Sequence, residues 1–286
     1  MRVALVCNLK KHVVMTFGSP PDALAEYDSD DTAQALLAAQ RGGGHDVILL
    51  EGDETLVDTV RQAAPDVCFN IAEGLGGDAR EAQVPALLEM LRIPYTGSRV
   101  LSQAISLDKA VTKRLWRDAC LPTAPFQVFR RDDEGLDPLL VYPLFVKPLG
   151  EGTGKGINPG SVVYGEAELR RQLGWVIASY RQPALVEEYL PGREFTVGMI
   201  GNGGGMARRR RPDIYDERGY HVFPVLEIDA FVGAGEGVYN AASKSYNPGE
   251  AGAPLYLCPA DIPGELESTL KRIAIEAFEV IGAHDV

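Results

Sequence analysis

The sequence has few cysteines and no long apolar run. Its four cysteines lie far apart and form neither a CxxC motif nor another metal-ligand spacing; they are Cys7, Cys68, Cys120 and Cys258. We therefore expect free thiols in a reducing, cytoplasmic environment. No stretch approaches 18 consecutive apolar residues, and the first residues contain only a short apolar run without a small-residue cleavage site. The sequence thus predicts neither a membrane span nor secretion.

Basic residues are also scarce. The 286 residues include 28 Lys and Arg against 40 Asp and Glu, which gives a formal net charge of −12. Because this charge repels nucleic-acid phosphates and anionic membranes, we expect no nucleic-acid partner and no membrane partner. The content of 45% hydrophobic and 24% charged residues is that of an ordinary globular protein and excludes disordered, collagen-like and disulfide-knot classes. The length suits two compact domains or three small ones.

Strand-like and helix-like segments alternate through the first hundred residues. Short apolar runs predict strands at Val3–Cys7, Asp46–Leu50, Val67–Ile71 and Ile93–Thr96. Helical periodicity and end signals predict helices at Thr32–Gln40, Thr55–Ala64 and Glu81–Leu91. This alternation is typical of βαβ units and predicts a parallel sheet.

The pattern changes near residue 100. Two helices are predicted at Ser98–Ile105 and Asp108–Ala119, followed by short strands at Phe126–Phe129, Leu144–Lys147 and Ser161–Tyr164 and a helix at Glu166–Tyr180. A third region has strands at Ala184–Tyr189 and Glu194–Ile200 and a closing helix at Pro263–Ile281. We therefore predict an N-terminal parallel α/β domain (1–100), a small central α+β domain (101–183) and a C-terminal α+β domain (184–286).

A glycine-rich loop follows one of these strands. Residues 145–156 read FVKPLGEGTGKG, and we call residues 150–156 the glycine loop. Alternating glycines expose backbone N–H groups and permit positive φ, so such a loop can close over phosphate oxygens, with Lys147 and Lys155 supplying charge. It is not a Walker A loop, because Leu149 and Gly156 stand where glycine and Ser or Thr are required. A dinucleotide fingerprint fails at Lys155. The alternative is a plain glycine-rich hairpin.

Adjacent carboxylates mark a second strand. Residues 184–197 read ALVEEYLPGREFTV. Because neighbouring strand residues face opposite ways, at most one of Glu187 and Glu188 is a direct side-chain ligand. Such an edge can offer its backbone to an adenine, while Glu194 accepts ribose hydroxyls. The alternative is a solvated acidic hairpin.

Together with four further stretches, these motifs resemble the D-alanine:D-alanine ligase family of the ATP-grasp superfamily. The further stretches are DVCFNIAEG (66–74), EAQVPALLE (81–89), IPYTGS (93–98) and LDKAVTK (107–113). Their order carries the resemblance, which covers nearly the whole chain. It implies a cytoplasmic, ATP-dependent carboxylate–amine ligase of α+β ATP-grasp fold, with ATP between the central and C-terminal domains. It further implies an acyl-phosphate intermediate, magnesium, amino-acid-like substrates of peptidoglycan biosynthesis and, by analogy, a homodimer.

The resemblance assigns roles residue by residue. The ATP-binding positions are Lys109, Lys147, Glu151, Gly152, Gly154, Lys155, Gly156, Glu187, Glu188, Tyr189, Leu190 and Glu194. Lys109, Lys147 and the glycine loop match groups that contact phosphates, Glu187 to Leu190 match an adenine-contacting strand, and Glu194 matches a ribose-binding carboxylate. The expected catalytic residues are Lys244 near the γ-phosphate, Tyr246 of the same loop, and Thr153 in the glycine loop.

The substrate and metal positions depart from the family. Glu73-Gly74 stands where the family has His-Gly. The ammonium-binding glutamate falls near Tyr27, which is flanked by Glu26 and Asp28, so its counterpart is ambiguous, and Glu26 is taken as the candidate. Glu73 either binds a cationic substrate or is a helix-terminal carboxylate, so a peptide or polyamine substrate is an alternative to D-alanine. The family's metal ligands follow the closing helix, and nothing here matches them. We expect a natural protein that continues past Val286 or, alternatively, a nucleotide-binding protein without catalysis.

A short basic run, Ala207 to Pro212, interrupts the third region. It is interpreted as a solvated hairpin insertion, against the alternative of a site for an acidic partner.

Overall fold

The chain forms two compact units in a computed structural model, which describes residues 1–15, 17–203, 209, 211–233, 237–246 and 248–285. Unit 1 comprises Met1–Thr16, Glu26–Leu107 and Ile281–Val286. Unit 2 comprises Phe17–Ala25 and Asp108–Val280. Among the described residues, no helix is both long and apolar enough to cross a membrane.

A parallel sheet is the centre of unit 1. Strands β1 (Arg2–Cys7), β2 (Asp46–Glu51) and β3 (Val67–Asn70) pair in the order β2-β1-β3, which confirms the predicted parallel sheet. The fourth predicted strand is wrong as a strand, because Tyr95 makes only an isolated bridge to Cys68. Pro94 has no N–H to donate and Gly97 turns the chain away at φ +95°, so the pairing ends after two hydrogen bonds.

Helices cover both faces of this sheet. They are α1 (Asp30–Gly42), α2 (Leu56–Ala63) and α3 (Gln83–Leu91), and α4 (Val100–Leu107) follows α3 in the chain. Along β1, Val3 and Leu5 pack in one buried cluster with residues of α1, whereas Ala4 and Val6 pack in another with residues of α2 and α3. This period-two alternation is what a sheet buried on both faces requires. Ser29 caps α1 and accepts a 3.0 Å hydrogen bond from the Thr32 amide.

The longer segment of unit 2 begins with helix α5 (Lys109–Asp118) and a four-stranded antiparallel sheet. Its strands are β4 (Phe126–Phe129), β5 (Leu144–Pro148), β6 (Val162–Val163) and β7 (Ala184–Glu188), in the order β4-β7-β5-β6. Helix α6 (Glu166–Tyr180) has the predicted bounds. Its residues Leu169, Leu173 and Val176 pack in one buried cluster with residues of the sheet.

Shorter strands complete unit 2. They are β8 (Glu194–Thr196), β9 (Met199–Gly201), β10 (Tyr220–Val222), β11 (Leu226–Asp229) and β12 (Leu255–Leu257), followed by helix α7 (Gly264–Val280). They form the antiparallel sheets β12-β11-β8 and β9-β10. The basic run lies partly outside the described residues, since Ala207, Arg208 and Arg210 are not among them. Arg211 forms an exposed 2.9 Å ion pair with Asp213.

Two predicted boundaries shift in the structure. The first unit extends through Leu107 instead of residue 100, and it regains residues 281–286 at the chain's end. A boundary between residues 183 and 184 would separate β7 from β4 and β5, with which it pairs, so by strand pairing β7 belongs to the central sheet. The division of unit 2 into a central and a C-terminal domain stays a prediction.

Candidate functional site

Two lysines of unit 2 converge on one carboxylate. Glu187 of β7 and Lys147 of β5 lie diagonally across two paired strands, and the Lys147 ammonium donates to Glu187 Oε1. Lys113 of α5 lies 2.8 Å from Glu187 Oε2. All three side chains are largely buried. Burial opposes ionisation of Glu187, but Lys147 and Lys113 outweigh it and hold the pKa of this carboxyl below its usual range.

Sequence reasoning gave Lys113 no role. A usable signal was its spacing, because Lys109 and Lys113 are four residues apart and therefore lie on one face of α5. Lys109 lies at the start of that helix, and its ammonium donates to the carbonyl oxygens of Leu149 (3.3 Å) and Glu151. Helix α5 thus presents two cations, one to the glycine loop and one to Glu187.

The predicted adenine strand uses part of its backbone internally. The amides of Glu188 and Tyr189 donate to the carbonyls of Pro125 and Pro143, each at 3.1 Å. The Tyr189 ring stacks on Phe145 with the ring centroids 6.3 Å apart. Leu190 is 69% exposed. A nucleotide base at this edge would therefore meet backbone groups other than these two amides, beside the Glu187 carboxylate.

Hydrogen bonds hold the glycine loop together. Lys155 is buried, with its ammonium 2.6 Å from Glu151 Oε2. Gln182 donates to Glu151 Oε1 and accepts from the Gly150 amide, both at 2.7 Å. Two of the three lysines assigned to the phosphates, Lys109 and Lys155, therefore have partners in the loop itself. A loop in which ammonium groups and backbone amides are held together suits phosphate oxygens, which take both kinds of donor.

The loop's glycines differ in what surrounds them. A Cβ on Gly154, at φ +74°, would lie 2.9 Å from the backbone nitrogen of Ala241. A Cβ on Gly156, at φ +73°, would lie 2.3 Å from Pro148 Cγ. Gly152 has open space around it. Thr153 lies between these positions at φ +53°, a left-handed conformation that β-branched residues rarely adopt. Local strain at a predicted catalytic residue is consistent with a functional loop.

Glu194 of β8 interacts electrostatically with two lysines. Lys244 occupies a 3₁₀ turn, Ser243–Ser245, with its ammonium 4.9 Å from the centroid of the Tyr239 ring. Burial lowers the pKa of Lys244, and Glu194 opposes this effect. Burial raises the pKa of Glu194, while Lys244 and Lys147 oppose the rise. The structure thus places Glu194 within electrostatic range of both Lys244 and Lys147.

Tyr246 follows this turn directly. A Cβ on Gly252, at φ +102°, would lie 2.9 Å from the Tyr246 ring, so the ring packs on a residue without a side chain. This packing fixes the tyrosine at the end of the segment that carries Lys244.

Unit 1 contains the two predicted substrate carboxylates. Glu26 is buried, and both of its carboxylate oxygens accept hydrogen bonds from Arg80. Arg80 donates from Nε at 3.2 Å and from Nη2 at 2.7 Å. This bidentate pair compensates the charge that was expected to hold an ammonium. Arg80 received no role from the sequence, because its partner lies 54 positions away.

Glu73 lies beyond the carboxyl end of β3. Buried Asn8, beyond β1, accepts hydrogen bonds from the amides of Glu73 (2.9 Å) and Gly74 (3.0 Å) and donates to Gly52. Burial raises the pKa of Glu73 to about 7, with Glu81, Glu26 and Asp28 adding to the rise and Arg80 opposing it. The carboxyl ends of parallel strands are where ligands of α/β proteins bind, which favours a binding role for this residue.

Metal-ligating side chains do not cluster in the described part of the chain. No group of three His, Cys, Asp or Glu residues there is placed to hold a metal ion. This part of the chain therefore supplies no magnesium site made of three such ligands.

Comparison with known proteins identifies the family. The family model "D-ala D-ala ligase C-terminus" matches residues 115–286. The chain belongs to the D-alanine–D-alanine ligase family. A D-alanine–D-alanine ligase of Chelativorans sp. is 30% identical, with 97% of this chain and 80% of that protein covered. An uncharacterized protein of Sinorhizobium fredii, y4sG, is 34% identical, with 100% of this chain and 81% of that protein covered.

A solved structure agrees in fold. The D-alanine–D-alanine ligase of Bacillus anthracis complexed with ATP has a TM-score of 0.68 at 18% identity, covering 100% of this chain and 79% of that one. The predicted α+β ATP-grasp fold and the predicted family of ATP-dependent ligases are thereby confirmed. The individual site residues stay predictions.

Proposed function

We propose that this protein is an ATP-dependent ligase that joins the carboxylate of one amino-acid-like substrate to the amine of a second. The observation that supports it best is the arrangement of Lys147, Glu187 and Lys113 beside the glycine loop, in a chain of this family. D-alanine is the first candidate for both substrates, because relatives of this chain are named D-alanine–D-alanine ligases.

The proposed nucleotide site lies within unit 2. Lys109, Lys147 and Lys155 would bind phosphates, the strand from Glu187 to Leu190 the adenine, and Glu194 the ribose. Lysine is suited to phosphate because it is a compact point charge. The carboxylates of Glu187 and Glu151 pair with Lys147 and Lys155 and so reduce the repulsion between the lysines.

The proposed reaction has two steps. A carboxylate oxygen of the first substrate attacks the γ-phosphorus of ATP, and the bond to the β-phosphate oxygen breaks to release ADP. The amine of the second substrate then attacks the acyl carbon, phosphate leaves with the bonding electrons, and the amine proton passes to solvent. Lys244 would stabilise charge on the transferring phosphoryl group. The glycine loop, with Thr153, and Tyr246 would shield the acyl phosphate from water.

Three further proposals follow from the family. Magnesium would accompany ATP as the substrate complex, and the ATP requirement places the proposed reaction in the cytoplasm. A homodimer is proposed by analogy, and sedimentation velocity would test it.

A second candidate substrate class is favoured by unit 1. Arg80 already compensates Glu26, whereas the surroundings of Glu73 are mainly negative, with Glu81 and Asp28 added. A cationic group would relieve this repulsion, which supports a substrate with an additional amine, such as a basic peptide or a polyamine.

ADP release tests the proposal. The chain is assayed with magnesium and ATP against D-alanine, other amino acids, dipeptides and polyamines, and transfer of ¹⁸O from a labelled carboxylate to phosphate is followed. Substrate-dependent ADP with ¹⁸O transfer is the expected result. ATP binding without turnover on the whole panel would instead indicate a nucleotide-binding protein without catalysis.

The Glu73→Gln variant distinguishes the substrate classes. If Glu73 binds an ammonium, the KM of the amine substrate rises about tenfold or more while the KM of ATP stays unchanged. An unchanged amine KM would leave Glu73 as a structural carboxylate.

A further inference from the structure

The segment 17–25 follows unit 1's first strand in the sequence but packs in unit 2. Two internal hydrogen bonds shape it, from the Ala23 amide to the Pro20 carbonyl at 3.1 Å and from the Ala25 amide to the Asp22 carbonyl at 2.9 Å. These turns direct the Asp22 side chain to the end of the glycine loop.

Asp22 bonds the loop and its supporting helix at once. Its Oδ2 accepts from the Gly156 amide at 2.8 Å, and its Oδ1 accepts from the Tyr180 hydroxyl at 2.6 Å. Tyr180 is the last residue of α6 and is buried. Burial and the Asp22 carboxylate raise the pKa of Tyr180 far above its usual range, so this hydroxyl stays a donor. Hydrogen bonds to an ionised acceptor are stronger than neutral ones.

Two glycines of the loop have close neighbours. Gly154 lies so close to the backbone of Asn240 and Ala241 that no Cβ fits between them. The same holds for Gly156 against Pro148 and Tyr180. The loop therefore contacts the Asn240 turn at Gly154, and Pro148, Tyr180 and Asp22 at Gly156. Of these contacts, the one from Asp22 comes from a segment outside the sequence range of the ATP-grasp motifs.

We propose that Asp22 is a positioning residue, which fixes the Gly156 end of the glycine loop in the conformation that binds the phosphates of ATP. The proposal rests on the proposed function for the identity of the ligand. An aspartate is suited to this role, since its two oxygens bond Gly156 and Tyr180 at the same time. An alanine removes both bonds, and Tyr180→Phe removes one while keeping the ring.

Hydrogen exchange and ATP binding test the proposal on the full chain. In Asp22→Ala we expect the Gly156 amide to exchange about tenfold faster and the ATP dissociation constant to rise about tenfold, with a smaller effect of Tyr180→Phe on both. The KM of the amine substrate should not change. The control is Asp133→Ala, which removes an exposed 2.9 Å ion pair with Arg131 and should leave both readouts as in wild type.

Two outcomes overturn the inference. One is wild-type exchange at Gly156 in Asp22→Ala. The other is faster exchange together with unchanged ATP affinity. If the wild-type chain binds no ATP, the proposed function fails, and Gly156 exchange alone then decides whether Asp22 holds the loop.

Discussion

Glu187 is one buried carboxylate between two ammonium groups, and its surroundings decide how sensitive the site is to substitution. Burying a charge costs several kcal/mol unless oppositely charged partners compensate it. Removing one partner therefore destabilises the protein by more than the ion pair itself contributes to stability. Lys113 and Lys147 therefore share a structural task besides any contact with a nucleotide.

Lys113→Met should destabilise the protein by about 1–3 kcal/mol, because Glu187 keeps only Lys147 as a cationic partner. Urea denaturation measures this change. Lys271→Met is the matched control, since Lys271 pairs with Glu267 on the partly exposed surface of α7. That loss should stay below about 0.5 kcal/mol. Equal effects of the two variants would show that the buried cluster has no special weight.

Glu73→Gln should stabilise the protein at high pH. The pKa of Glu73 is raised from 4.5 to about 7 in the folded state, so folding retains a proton that the unfolded chain releases. Wild-type stability therefore falls as pH rises from about 4.5 to about 7 and is level above that. At pH 8 the variant should gain on the order of 2 kcal/mol, and at pH 5 little. Thermal unfolding across this range measures it. A gain that does not change with pH would contradict the assignment.

At this scale, the sequence predicted side chains that a strand or loop motif contains, such as Lys147 and Glu187. It did not predict Arg80 or Lys113, because each acquires its role from a partner 54 or 74 positions away that only the fold brings near. Pairing across such distances depends on packing, which local patterns do not encode.

The shape of the glycine loop depends on residues that have no side chain. Gly156→Ala should destabilise the protein by about 2 kcal/mol or more, because the residue lies at φ +73° and its Cβ would overlap Pro148. Gly154→Ala should behave similarly against Ala241. Gly152→Ala is the control within the same loop, with open space and an expected change below about 0.5 kcal/mol. Denaturation curves of the three variants provide the test. A destabilised Gly152→Ala would contradict the open space around it.

Elements were predicted best where a long periodic pattern runs through them. Helix α6 has the predicted bounds, and its buried residues Leu169, Leu173, Val176 and Tyr180 recur at helical spacing. The predicted strand at Ile93–Thr96 does not form beyond an isolated bridge, because Pro94 interrupts its apolar residues. The effect of a proline on pairing depends on the neighbouring strand, which the sequence does not reveal. The predicted boundary before β7 separates this strand from its partners β4 and β5, because strand order in a sheet is not sequence order.

Over the whole molecule, the chain passes from one unit to the other four times, after residues 16, 25, 107 and 280. Composition and periodicity placed boundaries near residues 100 and 183 but predicted no return of the chain to its first unit, because they detect only changes of pattern along the sequence. The final segment, residues 281–285, is held in unit 1 by hydrogen bonds. The Gly282 carbonyl accepts from the Ser102 hydroxyl at 2.6 Å, and the Asp285 carboxylate accepts from the Gly97 amide at 3.0 Å.

Asp285→Ala should therefore loosen a region near residue 97. Losing a charged acceptor should speed exchange of the Gly97 amide about tenfold, while amides of the β4-β7-β5-β6 sheet keep their rates. Hydrogen exchange read by NMR measures both regions in one sample. Unchanged exchange at Gly97 would show that other bonds hold the end of the chain.

The hydrogen bonds of Asp22 also affect the order in which parts of the protein fold during synthesis. Its partners lie 134 and 158 positions downstream, so during synthesis the segment 17–25 leaves the ribosome long before Gly156 and Tyr180 exist. Strands β1 to β3 can pair as soon as residue 70 has emerged, whereas this segment must wait as an open loop. Contacts of such long separation form late and slowly. Segment 17–25, which is the first part of unit 2 to be synthesised, is thus among the last parts of that unit to fold.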